Sequence, residues 1–197
     1  MMKWTDEDEK CAIKIIDAYK SQKRIVCLRG FHDDDKIVIA LNVATIISKH
    51  LNKNTINLRT HAYKFESDLL QRALGRNITL HGNTNYRIFK DMNLNVDKWS
   101  QNSGKYGPIE GVTIYHPIQS VIADHESKDH IHLIERLESD RSNFVILVTT
   151  NDYADGYLDF SRLDKLVDEY VVLDSSIKYP DEYQTLLLNL NVDRLDY

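Results

Sequence analysis

Apolar positions along this chain alternate between helix-period and strand-like stretches, regularly up to about residue 74 and again from residue 111. Thr5-Asp6-Glu7-Asp8 reads as a capped helix start, and Cys11, Ile15, Ile16 and Tyr19 follow as one stripe at helical spacing. The apolar run 25–28 predicts a strand. Residues 37–51, with Val38, Leu41, Ile46 and others nearly surrounding the axis, predict a helix packed under a sheet. A strand at 55–58 and a helix at 66–74 follow. From 75 to 108 the pattern weakens into loop with one short helix, 86–92. It then resumes with a strand at 112–115, a helix at 130–137, a strictly apolar strand at 144–148, a helix or turn at 160–167 and a strand at 170–173. Residues 185–190 are expected to close the sheet as an antiparallel edge. Strands alternating with helices imply a three-layer α/β domain, a mostly parallel sheet with helices on both faces, preceded by an N-terminal helix at about 5–20.

Composition narrows this picture. A chain of 197 residues that is 42% hydrophobic fits one domain spanning 1–197, able to bury about 70% of its unfolded surface. Cys11 falls in a helical pattern and Cys27 in a strand, so both read as buried reduced thiols. No secretory or membrane-length apolar run occurs, and a cytoplasmic protein with no membrane partner is expected. A net charge of -5 argues against a surface dedicated to nucleic acid, so nucleic acid is not the favoured partner.

The most informative stretch is Arg29-Gly30-Phe31-His32-Asp33-Asp34-Asp35-Lys36-Ile37. It lies between a strand and a helix, where a phosphate-binding loop of the form G-x-x-x-x-G-K-[ST] belongs. Gly30 and Lys36 keep the spacing. Asp35 replaces the second glycine, whose bare backbone lets amides approach phosphate, and Ile37 replaces the hydroxyl that holds magnesium. Asp33, Asp34 and Asp35 also set three carboxylates against a polyanion. The plainer alternative is a strand-turn-helix whose aspartates satisfy free amides at the helix start.

The order of elements adds a resemblance. Residues 30–51 resemble the P-loop helix of the RecA-like ATPase core of hexameric replicative helicases and their KaiC-type relatives, and Thr55-Ile56-Asn57-Leu58-Arg59-Thr60 resembles their second strand. Ile114-Tyr115-His116-Pro117-Ile118-Gln119 resembles their Walker B strand, 145–151 the sensor strand, and 166–173 the strand after it. The resemblance implies a RecA-like P-loop fold that has lost its chemistry. Arg59 stands where the water-activating glutamate belongs, His116 where the magnesium-binding aspartate belongs, and Thr150 where the sensor glutamine belongs; Lys36 alone survives. Phosphoryl transfer needs these parts together. The expectation is a pseudo-ATPase without cofactor or catalytic residues, acting through protein contacts as an adaptor or oligomeric scaffold of a replication-related kind. The stripe of Cys11, Ile15, Ile16 and Tyr19 either docks on a neighbouring subunit or covers its own sheet.

Two other classes remain open. An active nucleotide- or metal-dependent phosphohydrolase would build its site from His32, the aspartate run and Lys36. A nucleic-acid-binding adaptor would use Arg59, Lys64, Arg72 and Arg76, interleaved with Tyr63 and Phe65. The cluster Asp124-His125-Glu126 with Asp129, His130 and His132 is not a metal site on spacing, because residues two apart on a helix point in different directions.

Overall fold

The computed structural model describes residues 4–82, 84–99, 110–123, 129–150 and 159–195. Helix α1 (Asp6–Lys20) starts on a capping box: Thr5 Oγ1 accepts from the Asp8 amide at 3.2 Å, and Asp8 Oδ2 accepts from the Thr5 amide at 2.8 Å. Strand β1 (Ile25–Arg29) leads into α2 (Asp33–His50), and β2 (Thr55–Thr60) leads into α3 (Tyr63–Leu74). After them come β3 (Thr84–Phe89), β4 (Met92–Lys98), β5 (Val112–His116), α4 (Gln119–Ala123), α5 (Asp129–Ser139), β6 (Phe144–Val148), β7 (Glu169–Val172) and α6 (Pro180–Leu190).

The seven strands form one sheet in the order β3-β4-β2-β5-β6-β1-β7, and every neighbouring pair is parallel except β3 with β4. Right-handed crossovers explain the layers. The chain moves from β1 to β2 and on towards β4 in one direction, so α2 and α3 lie on one face; it returns from β5 to β6 and β7 in the other, so α4, α5 and the turns at 160–167 lie on the opposite face. Two apolar clusters correspond to the two faces. One joins α1, α2 and α3 to residues such as Leu28, Leu58 and Ile114, and the other joins Leu133 and Leu137 of α5 to Tyr115, Val145 and Leu147. Strands β5 and β6 are buried at every position because both their faces are covered, and β6 is a continuous apolar run. Helix α2 is buried nearly all round, with Ile46 an exception at 51% exposure. No helix of the described residues is long and apolar enough to cross a membrane.

Three expectations are corrected. Residues 86–92 are not a helix but part of the β3–β4 hairpin, where Met92, Leu94 and Val96 are buried and alternate with Asn93, Asn95 and Asp97. That is a period of two, written with asparagines that disfavour strands and so obscure it. Residues 185–190 are not an edge strand but the second half of α6, whose first turn carries Pro180, Asp181 and Glu182. Helix α2 begins at Asp33, four residues ahead of the expected start.

Candidate functional site

Every parallel strand points its carboxyl end to the same edge; β1 lies there between the late strands β6 and β7, and the connections from the adjacent strands β2 and β5 leave in opposite directions, so the chain order reverses between those two. Open α/β sheets bind ligands in the crevice at such a point. On the same edge Gly30 follows the last residue of β1 with φ +140°, and a Cβ on it would lie 2.6 Å from the Leu173 carbonyl oxygen, so only glycine fits. Just two residues, Phe31 and His32, separate it from α2. The cap is His32 rather than an aspartate: its Nδ1 accepts from the Asp35 amide at 3.4 Å, and its carbonyl accepts from the Lys36 amide at 3.3 Å. The amides of Asp35 and Lys36, two of those that would meet a phosphate, are therefore engaged in the helix start.

Each member of the acidic run has a cation. Asp33 pairs with Lys36 at 3.3 Å, Asp34 pairs with Arg72 of α3 at 3.1 Å, and the fully buried Asp35 pairs with Lys178 at 2.7 Å. Lys178 also reaches Asp8 of the α1 capping box at 3.1 Å, so one amine ties α1, α2 and the segment after β7 together. Burial alone pulls that amine down, but the carboxylates of Asp35 and Asp8 outweigh it and hold Lys178 above its usual range. Tyr179 donates to Asp35 at 3.2 Å and stacks on His32 with ring centres 3.8 Å apart; burial first, then the Asp35 charge, pushes its phenol up to about 12. Lys36 is fully buried. Its amine donates to the Gly30 carbonyl and, at 3.3 Å, to Thr149 Oγ1, beside its contact with Asp33. Ile37 is core.

Two strands away the edge carries a second cluster. Thr60 and His116 are register partners at the ends of β2 and β5, and Glu66 enters from the first turn of α3. His116 Nδ1 lies 2.7 Å from Glu66 Oε2, which also accepts from Thr60 Oγ1 at 3.2 Å. All three side chains are fully buried, yet His116 Nε2 and Glu66 Oε1 have no hydrogen-bond partner among the described residues. Glu66 has no counterpart among the expected site residues. Its position in the first turn of a helix that follows a strand is visible in the sequence, but its partner is set by register across the sheet.

The other expected positions separate. Arg59 is buried and donates to Asn95 Oδ1 at 3.1 Å; alternation with Leu58 and Thr60 sends it to the face opposite Glu66. Thr150 donates its amide to Gln119 Oε1 at 3.2 Å. Of the basic segment, Lys64 is exposed, Arg72 is paired with Asp34, and Arg76 donates to the Ile88 carbonyl at 2.9 Å, so these bases do not converge. Along α1, Cys11 and Ile15 are buried and Ile16 and Tyr19 half-buried within the chain's own core, and burial pushes the Cys11 thiol up to about 12. Residues 124–128 of the Asp/His cluster lie outside the described residues, among which no three His, Cys, Asp or Glu side chains are grouped to hold a metal.

No protein-family model matches this sequence, and no curated protein matches it either.

Proposed function

We propose that the chain is a catalytically silent RecA-like protein that works through protein contacts, as an adaptor or oligomeric scaffold. The observation that carries the reading is Lys36. The single chemical group kept from a phosphate-binding loop is fully buried, and its amine is engaged by Gly30, Thr149 and Asp33 of the same chain. The anion that meets Lys36 is the chain's own Asp33, and Asp35, at the second-glycine position, is held by Lys178 and Tyr179. Spatial convergence adds support. Lys36 touches Thr149, Thr150 bonds Gln119, and His116 ends the neighbouring strand, so three positions matched in chain order also share one sheet edge.

The test is calorimetry with ATP and magnesium together with phosphate release. Neither binding nor turnover is expected. Micromolar affinity, or turnover that Lys36→Met removes, would overturn the proposal. An enzymatic reading draws on one observation, the buried histidine oriented by a carboxylate with its far nitrogen unpartnered, which is the arrangement of a general base. Turnover of a nucleotide or phosphate ester that His116→Gln and Glu66→Gln both remove, and Lys36→Met spares, would favour that reading instead.

A further inference from the structure

Helix α6 lies beside the closed loop without becoming part of either apolar cluster. Tyr183 rests against the Phe31 ring, with centres 5.6 Å apart, and Leu187 is buried, but the rest of the helix is largely open, with Leu188 80% exposed. Between α6 and Phe31 runs an open groove of about 400 Å³, lined by Phe31, Asp181, Glu182, Thr185, Leu186 and Asn189. Glu182, Leu186 and Asn189 recur at helical spacing, so one face of α6 lines the groove; Leu186 and Phe31 supply its apolar lining, and Asp181 and Glu182 its charge. Neither the Asp181 nor the Glu182 carboxylate has a hydrogen-bond or ion-pair partner among the described residues. The helix contains no lysine or arginine, and nearby Lys178 is held by Asp8 and Asp35.

We propose that this groove docks a basic segment of a partner protein, one apolar side chain seated on Phe31 and Leu186 and flanking lysines or arginines meeting Asp181 and Glu182. A helix dipole accounts for two acids in a first turn, but not for the open apolar lining beside them. Charge selects the occupant. A second copy meeting the same surface would set acid against acid in a self-complementary contact, whereas a basic segment meets complementary charge throughout. The groove stands independently of the RecA-like reading: ATP turnover would sink that reading and leave this one untouched.

The probe is a fluorescein-labelled peptide with one leucine between two pairs of lysine and arginine, titrated into the full chain and followed by anisotropy. Saturable one-to-one binding is expected. Replacing the leucine by serine should weaken it about tenfold or more, as should Glu182→Lys, and Thr185→Trp should block the groove while keeping the charge. Unchanged melting temperatures keep both variants interpretable; a variant that melts early is replaced by Asn189→Arg, which puts the repelling charge on the groove's far end. Equal binding of the serine peptide would reduce the effect to general attraction and overturn the proposal. So would binding that no groove variant alters, or a doubled mass in light scattering that Thr185→Trp returns to monomer.

Discussion

The two polar clusters at the carboxyl edge of the sheet differ in how their buried charges are met: Asp35 Oδ2 makes no hydrogen bond but lies 2.7 Å from the Lys178 amine, whereas Glu66 faces only a histidine. At the start of α2 every carboxylate of Asp33, Asp34 and Asp35 has a cation, and the one lysine of the loop is enclosed by acceptors. At the ends of β2 and β5, Glu66 and His116 are equally buried but leave one oxygen and one nitrogen without partners. Burying an unmade hydrogen bond costs about 1–3 kcal/mol per group. The saturated cluster has the character of a structural lock, and the unsaturated one keeps its hydrogen-bonding capacity in reserve. Conventional motif reading directs attention to the first, whereas the pairing directs it to the second.

The largest expected effect breaks the saturated side. Lys178→Met leaves the buried Asp35 and the capping Asp8 without their shared cation, a loss of about 3 kcal/mol. Thermal unfolding measures it, and Asp35→Asn in the same background should recover part of the loss. An unchanged melting temperature would show that the lock contributes nothing.

A smaller effect sharpens the contrast from the other side. Glu66→Leu and His116→Leu should each cost about 1–3 kcal/mol, because each leaves a buried group further unpaired. Glu66→Leu combined with His116→Leu should cost clearly less than the two leucine substitutions added together. Strict additivity in that double-mutant cycle would mean the two side chains are energetically independent despite their 2.7 Å contact.

The smallest effect is a slope. Around the Asp8 and Asp35 cluster, folded-state values raised above the unfolded ones belong to Cys11, pushed from 9.0 to about 12, to Tyr179, pushed from 10.0 to about 12, and to Lys178, raised above 10.5. In all three the folded state holds its proton longer. The stability they contribute is therefore complete below the unfolded value and declines as pH rises towards the folded one. Between pH 9 and 10 only Cys11 has entered its window, so stability should fall by at most about 1.4 kcal/mol over that unit. Urea titrations should show a flatter slope for Cys11→Ala; an identical slope would remove the thiol from the account.

What was legible in the sequence follows from which signals are local. The short runs of β1, β5 and β6 are visible because both faces of each strand are covered, and the stripe of α1 because its burial repeats at the helical period. The β3–β4 hairpin hid because its outward positions are asparagines, and α6 resembled a strand because Leu186, Leu187 and Leu188 are consecutive. Gly30 and Lys36 were visible at fixed spacing, but the roles of Glu66 and Lys178 depend on partners 50 and 143 residues away in the chain. Those partnerships arise from strand register and sheet order, which no short window contains.

The ion bridge at Lys178 also orders events in time. Asp8 and Asp35 are made early on the ribosome, and their counter-charge emerges only after more than a hundred further residues. Until then the amino end of α2 carries an acid it cannot bury, and β1 lacks the neighbour that β7 supplies. A nascent chain is therefore held open on this side while β2, β5 and β6 assemble, and docking of the segment after β7 is the step that seals it. Released chains truncated before residue 174 should remain sensitive to protease around Gly30, and the full chain should not.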